Sequence, residues 1–401
     1  MKKAILFILL FVISATGISY AQAGQNLIVP TTADTAHPSP YNLSGAKFPR
    51  IEADGRVTFQ FRAPDAQKVQ VSINNTAFDM VKGSNGVWTY TSEPQDKGYH
   101  NYWMIVDGAI VIDPATNAFI GYSHMCNGFE IPDPDGGFYE LKDVPHGKVL
   151  IENYYSKTVK SWRHIFIYTP PGYEANTSKR YPVFYLQHGG GEDERVWIEM
   201  GRTNVILDNL IAEGKAKPFI VVMETSAAYK PGEAPPQPMQ PRQPLGQGAQ
   251  PPAGAQPPAA RPRMSFSFDT YKEVMINDMI PYIDSHFRTL KNGKNRAMAG
   301  LSMGTFVTRV VALANLDKFS YIGIFSGGTV APADISDKSK VKLVFMSFGS
   351  RERGSDGLKA AAETLQKAGI KAVSYVSPLT AHEWQSWRRS LREFAPLLFR
   401  D

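Results

Sequence analysis

The chain has 401 residues, a formal net charge of +6 and a single cysteine, Cys126. Its basic residues are scattered among acidic ones, which argues against the clustered basic surface of a nucleic-acid-binding protein. One cysteine excludes an internal disulfide, so a large apolar core has to stabilise the fold. The length is sufficient for two domains.

The first 21 residues have the order of a secretory signal. Lys2 and Lys3 precede an apolar run over 4–18, and Ser19-Tyr20-Ala21 then offers small residues for cleavage. The run is short for a membrane span, and no later stretch approaches roughly 18 apolar residues. We therefore predict a signal peptide over 1–21 and a secreted or periplasmic bacterial protein that does not bind membranes after cleavage. A retained N-terminal anchor is the alternative.

A lead-in over 22–50 precedes a region of predicted short strands over 51–113. Polar and apolar residues alternate there, and turn signals at Gly55, Gly86 and Gly108 separate the runs. This pattern predicts a small β-sandwich, in which no chemistry-bearing cluster is evident. Its aromatic residues could line a sugar-binding face, but core packing is favoured for Trp88, Tyr99, Tyr102 and Trp103.

The rest of the chain has a different pattern. Residues 114–142 predict a connecting segment rich in Gly, Pro and Asp, and from 143 to 401 apolar strands alternate with amphipathic helices. This alternation is typical of an α/β fold with a doubly wound, mostly parallel sheet. An insertion over 231–262, dominated by Pro, Gln, Ala and Gly, is predicted to be disordered because it lacks large apolar side chains.

Ser302 lies at the centre of Gly300-Leu301-Ser302-Met303-Gly304, between a predicted strand and a predicted helix. That is the setting of the nucleophile elbow of the α/β-hydrolase fold, which lifts a serine hydroxyl above the sheet at the start of a helix. Glycines are needed two residues before and after the serine, because larger side chains would collide with the backbone. We therefore predict Ser302 as the nucleophile.

A serine nucleophile needs a base and an orienting acid, and in this fold the acid and then the histidine follow the serine in the chain. His382 follows a late strand and precedes the terminal helix, whereas His286 precedes the serine on a predicted helix. His382 is therefore the predicted base. The acid is expected just beyond the strand over 343–348, where Glu352 is favoured over Asp356, a better candidate for the cap of the next helix.

The oxyanion hole requires two backbone N–H groups directed at the developing negative charge. Met303, directly after the nucleophile, is expected to supply one. Gly190, which follows Gln187-His188-Gly189 at the end of an early strand, is expected to supply the other, with Gly191 beside it in contact with substrate. His188 precedes the nucleophile and is expected to hold this loop.

With these residues in place, the chain resembles carbohydrate esterase family 1, the feruloyl and acetyl-xylan esterases of the esterase D group. The β-rich region resembles the early-set or carbohydrate-binding-module-48-like domain that precedes many such esterases. By this resemblance Ser302, His382, Gly190 and Met303 inherit the roles of nucleophile, base and oxyanion donors. Many members use aspartate where this chain offers Glu352, and the insertion is not an expected family feature. The matching segments are 168–173, 181–191 with Trp197, 300–304, 381–384 and Trp387-Arg388.

The resemblance implies a secreted esterase acting on plant cell-wall polysaccharide or feruloylated oligosaccharide, above all on feruloyl esters of (arabino)xylan. An acetyl-xylan esterase and an enterochelin-type siderophore esterase remain open as alternatives. Trp197 and Trp384 are expected either to flank an aromatic acyl group or to pack in the core. Neither a cofactor nor a metal is predicted, because no histidine pair has ligand spacing. A catalytically silent glycan-binding protein is disfavoured by the joint presence of Ser302, His382 and the glycine loop.

Overall fold

The computed structural model describes residues 35–233 and 268–400, together with the backbone of residues 245–246. The predicted signal peptide over 1–21 lies outside the described residues. Within the described ranges, no helix has the length and apolar character required to cross a membrane.

The N-terminal part is a sandwich of two antiparallel sheets. Val57 and Phe59 of one sheet pack against Val71, Met104 and Phe129 of the other in one apolar core. The strands are β1 (His37–Pro38), β2 (Arg50–Ile51), β3 (Val57–Arg62), β4 (Val69–Ile73), β5 (Thr76–Asp79), β6 (Val81–Lys82), β7 (Val87–Thr91), β8 (Gly98–Val106), β9 (Ala109–Val111), β10 (Ala118–Gly121) and β11 (His124–Ile131). One sheet has the order β1-β2-β3-β7-β6, and the other has β10-β11-β8-β4-β5 with β9 on β8.

The C-terminal part is an eight-stranded sheet covered by helices on both faces. It contains β12 (Lys148–Ser156), β13 (Ser161–Thr169), β14 (Val183–Gln187), β15 (Ile220–Met223), β17 (Arg296–Leu301), β18 (Tyr321–Phe325), β19 (Leu343–Gly349) and β20 (Ala372–Ser377), with β16 (Leu245–Gly246) outside it. The helices are α1 (Val196–Glu199), α2 (Thr203–Ala212), α3 (Asp269–Val274), α4 (Ile280–His286), α5 (Met303–Thr308), α6 (Leu358–Lys367) and α7 (Trp384–Phe394). Single π-helical turns, Met275–Met279 and Arg309–Leu313, follow α3 and α5, and short 3₁₀ turns span Gly136–Phe138, Gly293–Asn295, Pro332–Asp334, Lys338–Lys340 and Ala395–Leu397.

The order of this sheet is β12-β13-β15-β14-β17-β18-β19-β20, and the pairs from β15 to β20 are parallel. Successive residues of β14 enter different cores: Val183 and Tyr185 face one layer of helices, and Phe184 and Leu186 face the other. Because both faces of this sheet are buried, its strands consist of continuous apolar runs. The predicted α/β-hydrolase class, preceded by a small β-rich region, is confirmed.

The structure corrects the predicted connecting segment over 114–142. Strands β10 and β11 lie inside it and extend the sandwich beside β8, and β1 begins ahead of the predicted domain start at residue 51. Strand β11 was not predicted from the sequence, because polar and small residues occupy several of its buried positions. The buried side-chain NH₂ of Asn127 donates to the carbonyls of Asp113 and Thr116. Gly128 leaves room for the ring of Tyr99, which would lie 2.6 Å from a Cβ added at this position.

Part of the predicted insertion over 231–262 is described. Residues 231–233 continue the chain after β15, and β16 pairs in parallel with Thr76–Ala77 of β5. This two-residue pairing differs from the disorder predicted for the segment, because backbone groups can join a sheet edge whatever their side chains are. The remainder of the insertion lies outside the described residues.

A buried ion pair joins the two parts of the molecule. Arg388 of α7 donates from Nη1 to Oε1 of Glu130 on β11 at 2.6 Å and from Nε to the carbonyl of Met200 at 2.7 Å. Tyr41 donates its hydroxyl to the other Glu130 oxygen at 2.9 Å. Burial alone would raise the pKa of Glu130, but the attraction of Arg388 and the hydrogen bonds hold it below its usual value. The β domain is therefore anchored on the helix that directly follows His382.

Candidate active site

Ser302 lies in a strained turn between β17 and α5. Its backbone has φ 49° and ψ −114°, and its N–H donates to the Phe325 carbonyl at 2.8 Å. A Cβ added at Gly300 would lie 2.3 Å from the Gly304 carbonyl oxygen, and one added at Gly304 would lie 2.5 Å from the His188 carbonyl oxygen. The two glycines are therefore required by backbone contacts, as the motif predicts for a nucleophile elbow.

The structure brings the three predicted catalytic residues together in one hydrogen-bonded series. Nε2 of His382 lies 2.9 Å from Oγ of Ser302, and Nδ1 of the same ring lies 2.8 Å from Oε2 of Glu352. His382 is half-exposed at the surface of the site, whereas the side chain of Glu352 is 9% exposed. This geometry allows His382 to accept the serine proton while Glu352 holds the other ring nitrogen.

Glu352 is held by further donors behind the histidine. Its Oε1 accepts from the hydroxyl of Ser326 and from the N–H of Gly349, both at 2.7 Å, and Ser326 in turn accepts from Nε1 of Trp387 at 3.1 Å. Burial raises the pKa of Glu352, but the hydrogen bonds from His382, Ser326 and Gly349 outweigh it and hold that pKa below its usual value. Glu352 therefore stays ionised at neutral pH, as a carboxylate that must stabilise an imidazolium requires.

The glycine loop beside Ser302 is held by His188. The buried His188 ring accepts the N–H of Ser226 at Nε2, at 3.2 Å, and contacts the Gly189 carbonyl through Nδ1 at 2.7 Å. Burial lowers the pKa of His188, which favours the neutral ring with the proton on Nδ1. Gly190 lines the cavity with Ser302, and Met303 is the first residue of α5. Of the two predicted oxyanion donors, Gly190 therefore shares a cavity with Ser302, and Met303 directly follows Ser302 in the chain.

Gly191, predicted to contact substrate, contacts the β domain instead. Its carbonyl accepts the N–H of Ser123 at 3.0 Å, and its φ is +74°. An added Cβ would lie 2.6 Å from the Ser123 nitrogen. Ser123 and Tyr122 form the turn between β10 and β11, and both residues have positive φ. The sandwich therefore supports the loop that carries Gly190.

Replacing Gly191 by alanine is expected to lower kcat for ester hydrolysis by about 10²-fold, because the new Cβ must displace either the Ser123 turn or the loop bearing Gly190. Steady-state kinetics will measure the loss. Gly172 offers a matched control, since it also has positive φ but its added Cβ meets nothing within 4 Å. Similar losses of kcat in Gly172→Ala and Gly191→Ala would contradict this explanation.

Both parts of the molecule form the cavity above Ser302. It has a volume of about 350 Å³. The hydrolase side contributes Gly189, Gly190, Glu192, Leu301, Ser302, Ala381, His382, Glu383, Trp384 and Trp387, and the β domain contributes Asn74, Tyr99, Asn101, Gly121 and Tyr122. The sequence did not indicate that the β region contributes to the site, and the structure adds its residues to the wall of the cavity.

The two predicted substrate-binding tryptophans have different positions. Trp384 lines the cavity and is 2% exposed. Trp197 is fully buried behind it, with the two rings in edge contact at 5.3 Å between centroids, and its Nε1 donates to the Gln187 carbonyl at 2.9 Å. Trp197 is not among the cavity-lining residues, so its position fits packing and not the predicted contact with substrate. Trp387 also lines the cavity, and its ring lies edge-on to that of His382 with 5.2 Å between the ring centroids.

The sequence did not indicate several residues of the site. Ser326 follows β18 at the carboxyl edge of the parallel sheet, and Ser326-Gly327-Gly328 is a small-residue signal that could have marked it. Asn74 and Tyr122 lie in hairpin turns of the β domain. Such turns are common on any surface, so nothing in the sequence separates these two from other turn residues.

A family model described as "Putative esterase" matches residues 156–397, more than half of the chain. The chain belongs to this esterase family. The esterase is 37% identical over 373 residues to the endo-1,4-β-xylanase/feruloyl esterase of Xylanibacter ruminicola, a match that covers 90% of the esterase and 47% of the relative. It therefore spans about half the length of this curated relative.

Two solved structures share the fold of the esterase. The CE1 ferulic acid esterase of Anaeromyces mucronatus is 23% identical with a TM-score of 0.51, over 65% of the esterase and 93% of that chain. The enterochelin esterase of Shigella flexneri is 15% identical with a TM-score of 0.58, over 85% and 91%. The predicted membership of an esterase family is confirmed by the family model, and the two solved structures support the predicted α/β-hydrolase fold.

Proposed function

We propose that the esterase is a secreted serine hydrolase that releases feruloyl groups from the (arabino)xylan of plant cell walls. The observation that carries this proposal is the hydrogen-bonded series Ser302–His382–Glu352, which opens into the cavity between the two domains. Secretion is proposed from the charged, apolar and small-residue order of positions 1–21.

In the first half of the reaction His382 removes the proton of Ser302 Oγ as this oxygen attacks the ester carbonyl carbon. The carbonyl oxygen becomes negatively charged and is held by the N–H groups of Gly190 and Met303. Glu352 stabilises the imidazolium that has formed. His382 then gives its proton to the leaving sugar oxygen, the carbon–oxygen bond breaks, and the acyl group remains on Ser302.

In the second half water takes the place of the sugar. His382 removes a proton from the water as its oxygen attacks the acyl carbon, and the same N–H groups hold the second oxyanion. Collapse breaks the bond to Ser302, whose oxygen recovers its proton from His382. The products are a free carboxylic acid and the original enzyme.

The volume and the lining of the cavity are evidence for an aromatic acyl group in the substrate. Its volume of about 350 Å³ is in the range of sites for small organic molecules and exceeds what an acetyl group requires. Aromatic side chains from both domains form its walls: Tyr99, Tyr122, Trp384 and Trp387. The Xylanibacter ruminicola relative is named as both an endo-1,4-β-xylanase and a feruloyl esterase, which supports a xylan-linked feruloyl ester as substrate.

A siderophore esterase is the second candidate, supported by the two-part architecture shared with the enterochelin esterase of Shigella flexneri. The described lining of the cavity contains no Lys or Arg that could bind an anionic substrate. Iron-bound triscatecholates are anionic, so this lining favours an uncharged feruloyl ester.

The substrate panel that tests the proposal is methyl ferulate, feruloylated arabinoxylan oligosaccharide, acetylated xylan and a triscatecholate ester. We expect the purified esterase to hydrolyse the two feruloyl esters fastest, and Ser302→Ala to reduce release of ferulic acid to background. Hydrolysis of acetylated xylan alone would overturn feruloyl specificity. Equal rates for wild type and Ser302→Ala would overturn the serine mechanism.

A further inference from the structure

The cavity contains a carboxyl group that the mechanism above does not use. Glu192 directly follows the oxyanion loop, defined as Gly189-Gly190-Gly191, and it is partly buried in the cavity wall. Its Oε2 accepts the N–H of Gly189 at 2.8 Å. The side chain therefore touches both the space where substrate binds and the loop that holds the oxyanion.

The contacts around Gly189 fix the start of this loop. A Cβ added there would lie 2.5 Å from Cδ1 of Leu301 and 2.9 Å from Oε2 of Glu192. Gly189 is thus packed between the residue preceding the nucleophile and the Glu192 carboxyl group. The far end of the loop is held by the bond from Ser123 to the Gly191 carbonyl. Gly190 lies between two fixed ends, the arrangement that a preorganised donor requires.

The charges around Glu192 argue against an ionised form during catalysis. Asp193 adjoins it on the same segment, and Tyr122 and Cys126 face it from the β domain. The other titratable groups of the cavity wall are Tyr99, His382 and Glu383, and the described lining contains no Lys or Arg. A carboxylate in this position would have no Lys or Arg of the described lining to neutralise it, and it would repel the negative charge that forms on the substrate oxygen.

We propose that Glu192 is the positioning residue of the oxyanion loop and acts as an uncharged acid, holding Gly189 in place without opposing the oxyanion. The proposal rests on the serine mechanism described above. Burial raises the pKa of Glu192 to about 8, and Asp193 adds to this, although the Gly189 hydrogen bond acts in the opposite direction. The group is therefore protonated at neutral pH and loses its proton as the pH rises through about 8.

The pH dependence of activity tests this role. Wild-type kcat/KM for methyl ferulate, corrected for spontaneous hydrolysis, is expected to fall by about tenfold per pH unit well above the Glu192 pKa. Glu192→Gln keeps an oxygen that accepts the Gly189 N–H but does not titrate, so its alkaline decrease should disappear, and at pH 7 it should be more active than Glu192→Ala. Glu192→Ala removes the acceptor and is expected to lower kcat at pH 7 by about 10–100-fold.

Glu199→Gln is the matched control, because burial also raises the pKa of Glu199 but this residue does not line the cavity. Its pH profile should match that of wild type. An unchanged alkaline decrease in Glu192→Gln would overturn the proposal, as would wild-type kcat in Glu192→Ala. If Glu192→Ala fails to fold, the profile of Glu192→Gln decides. Absence of Ser302-dependent hydrolysis in wild type would instead overturn the proposed function, and the role of Glu192 with it.

Discussion

Replacing Glu352 by glutamine is expected to lower kcat by about 10³–10⁴-fold while the protein remains folded. The two donors on Oε1 explain the size of the effect. Ser326 and the Gly349 N–H both require an acceptor, so the glutamine oxygen will occupy that position and its NH₂ group will face Nδ1 of His382. The ring must then carry its proton on Nε2, where it cannot accept the proton of Ser302.

Steady-state kinetics with methyl ferulate will measure this loss, and thermal unfolding will show that the fold is retained. Asp356→Asn is the matched control, since Asp356 was the other carboxylate that the sequence allowed. It lies in the turn before α6, and Glu352 is the carboxylate that contacts His382. We expect Asp356→Asn to keep kcat within about twofold of wild type, in line with surface substitutions elsewhere. A large loss in Asp356→Asn with none in Glu352→Gln would contradict the assignment of the acid.

Replacing Arg388 by methionine is expected to lower the free energy of unfolding by about 3–5 kcal/mol, because it removes the cation that donates hydrogen bonds to the buried Glu130 carboxylate. The side chains of Arg388 and Glu130 are 1% and 0% exposed, so water cannot take the place of the lost partner. The carbonyl of Met200 also loses its donor. Since Arg388 is on α7, which begins two residues after His382, esterase activity is expected to fall as well.

Urea denaturation will measure the change. Arg392→Met is the control on the same helix, because Arg392 is 42% exposed and its contacts with Glu393 and with the ring of Phe138 are at the surface. It should cost no more than about 1 kcal/mol. The double variant Glu130→Gln/Arg388→Met removes both charges and is expected to recover much of the stability lost by Arg388→Met. Equal destabilisation by Arg388→Met and Arg392→Met would contradict a structural role for the buried pair.

Much of the hydrolase part could be predicted because its elements are defined by local patterns. The apolar strands and amphipathic helices predicted to alternate from residue 143 onward are present in the described part of the sheet and its helical layers. Ser302 and His382 could be identified because chain order in this fold places them at known strand ends. The β domain was predicted less completely, since Asn127 and Gly128 interrupt the pattern of β11 for reasons of packing that only its neighbours reveal.

The sequence by itself determined the α/β-hydrolase class, the position of the nucleophile and the candidates for its base and acid. These features depend on periodicity, on glycine spacing and on order along the chain. Only the tertiary structure decided that Glu352 contacts His382, that Trp197 is packed behind Trp384, and that the β domain forms a wall of the cavity. Each of these depends on contacts between residues far apart in the chain, and such contacts leave no local signal. The turn at Ser302, by contrast, could be anticipated, because the motif that predicts it lies within five consecutive residues.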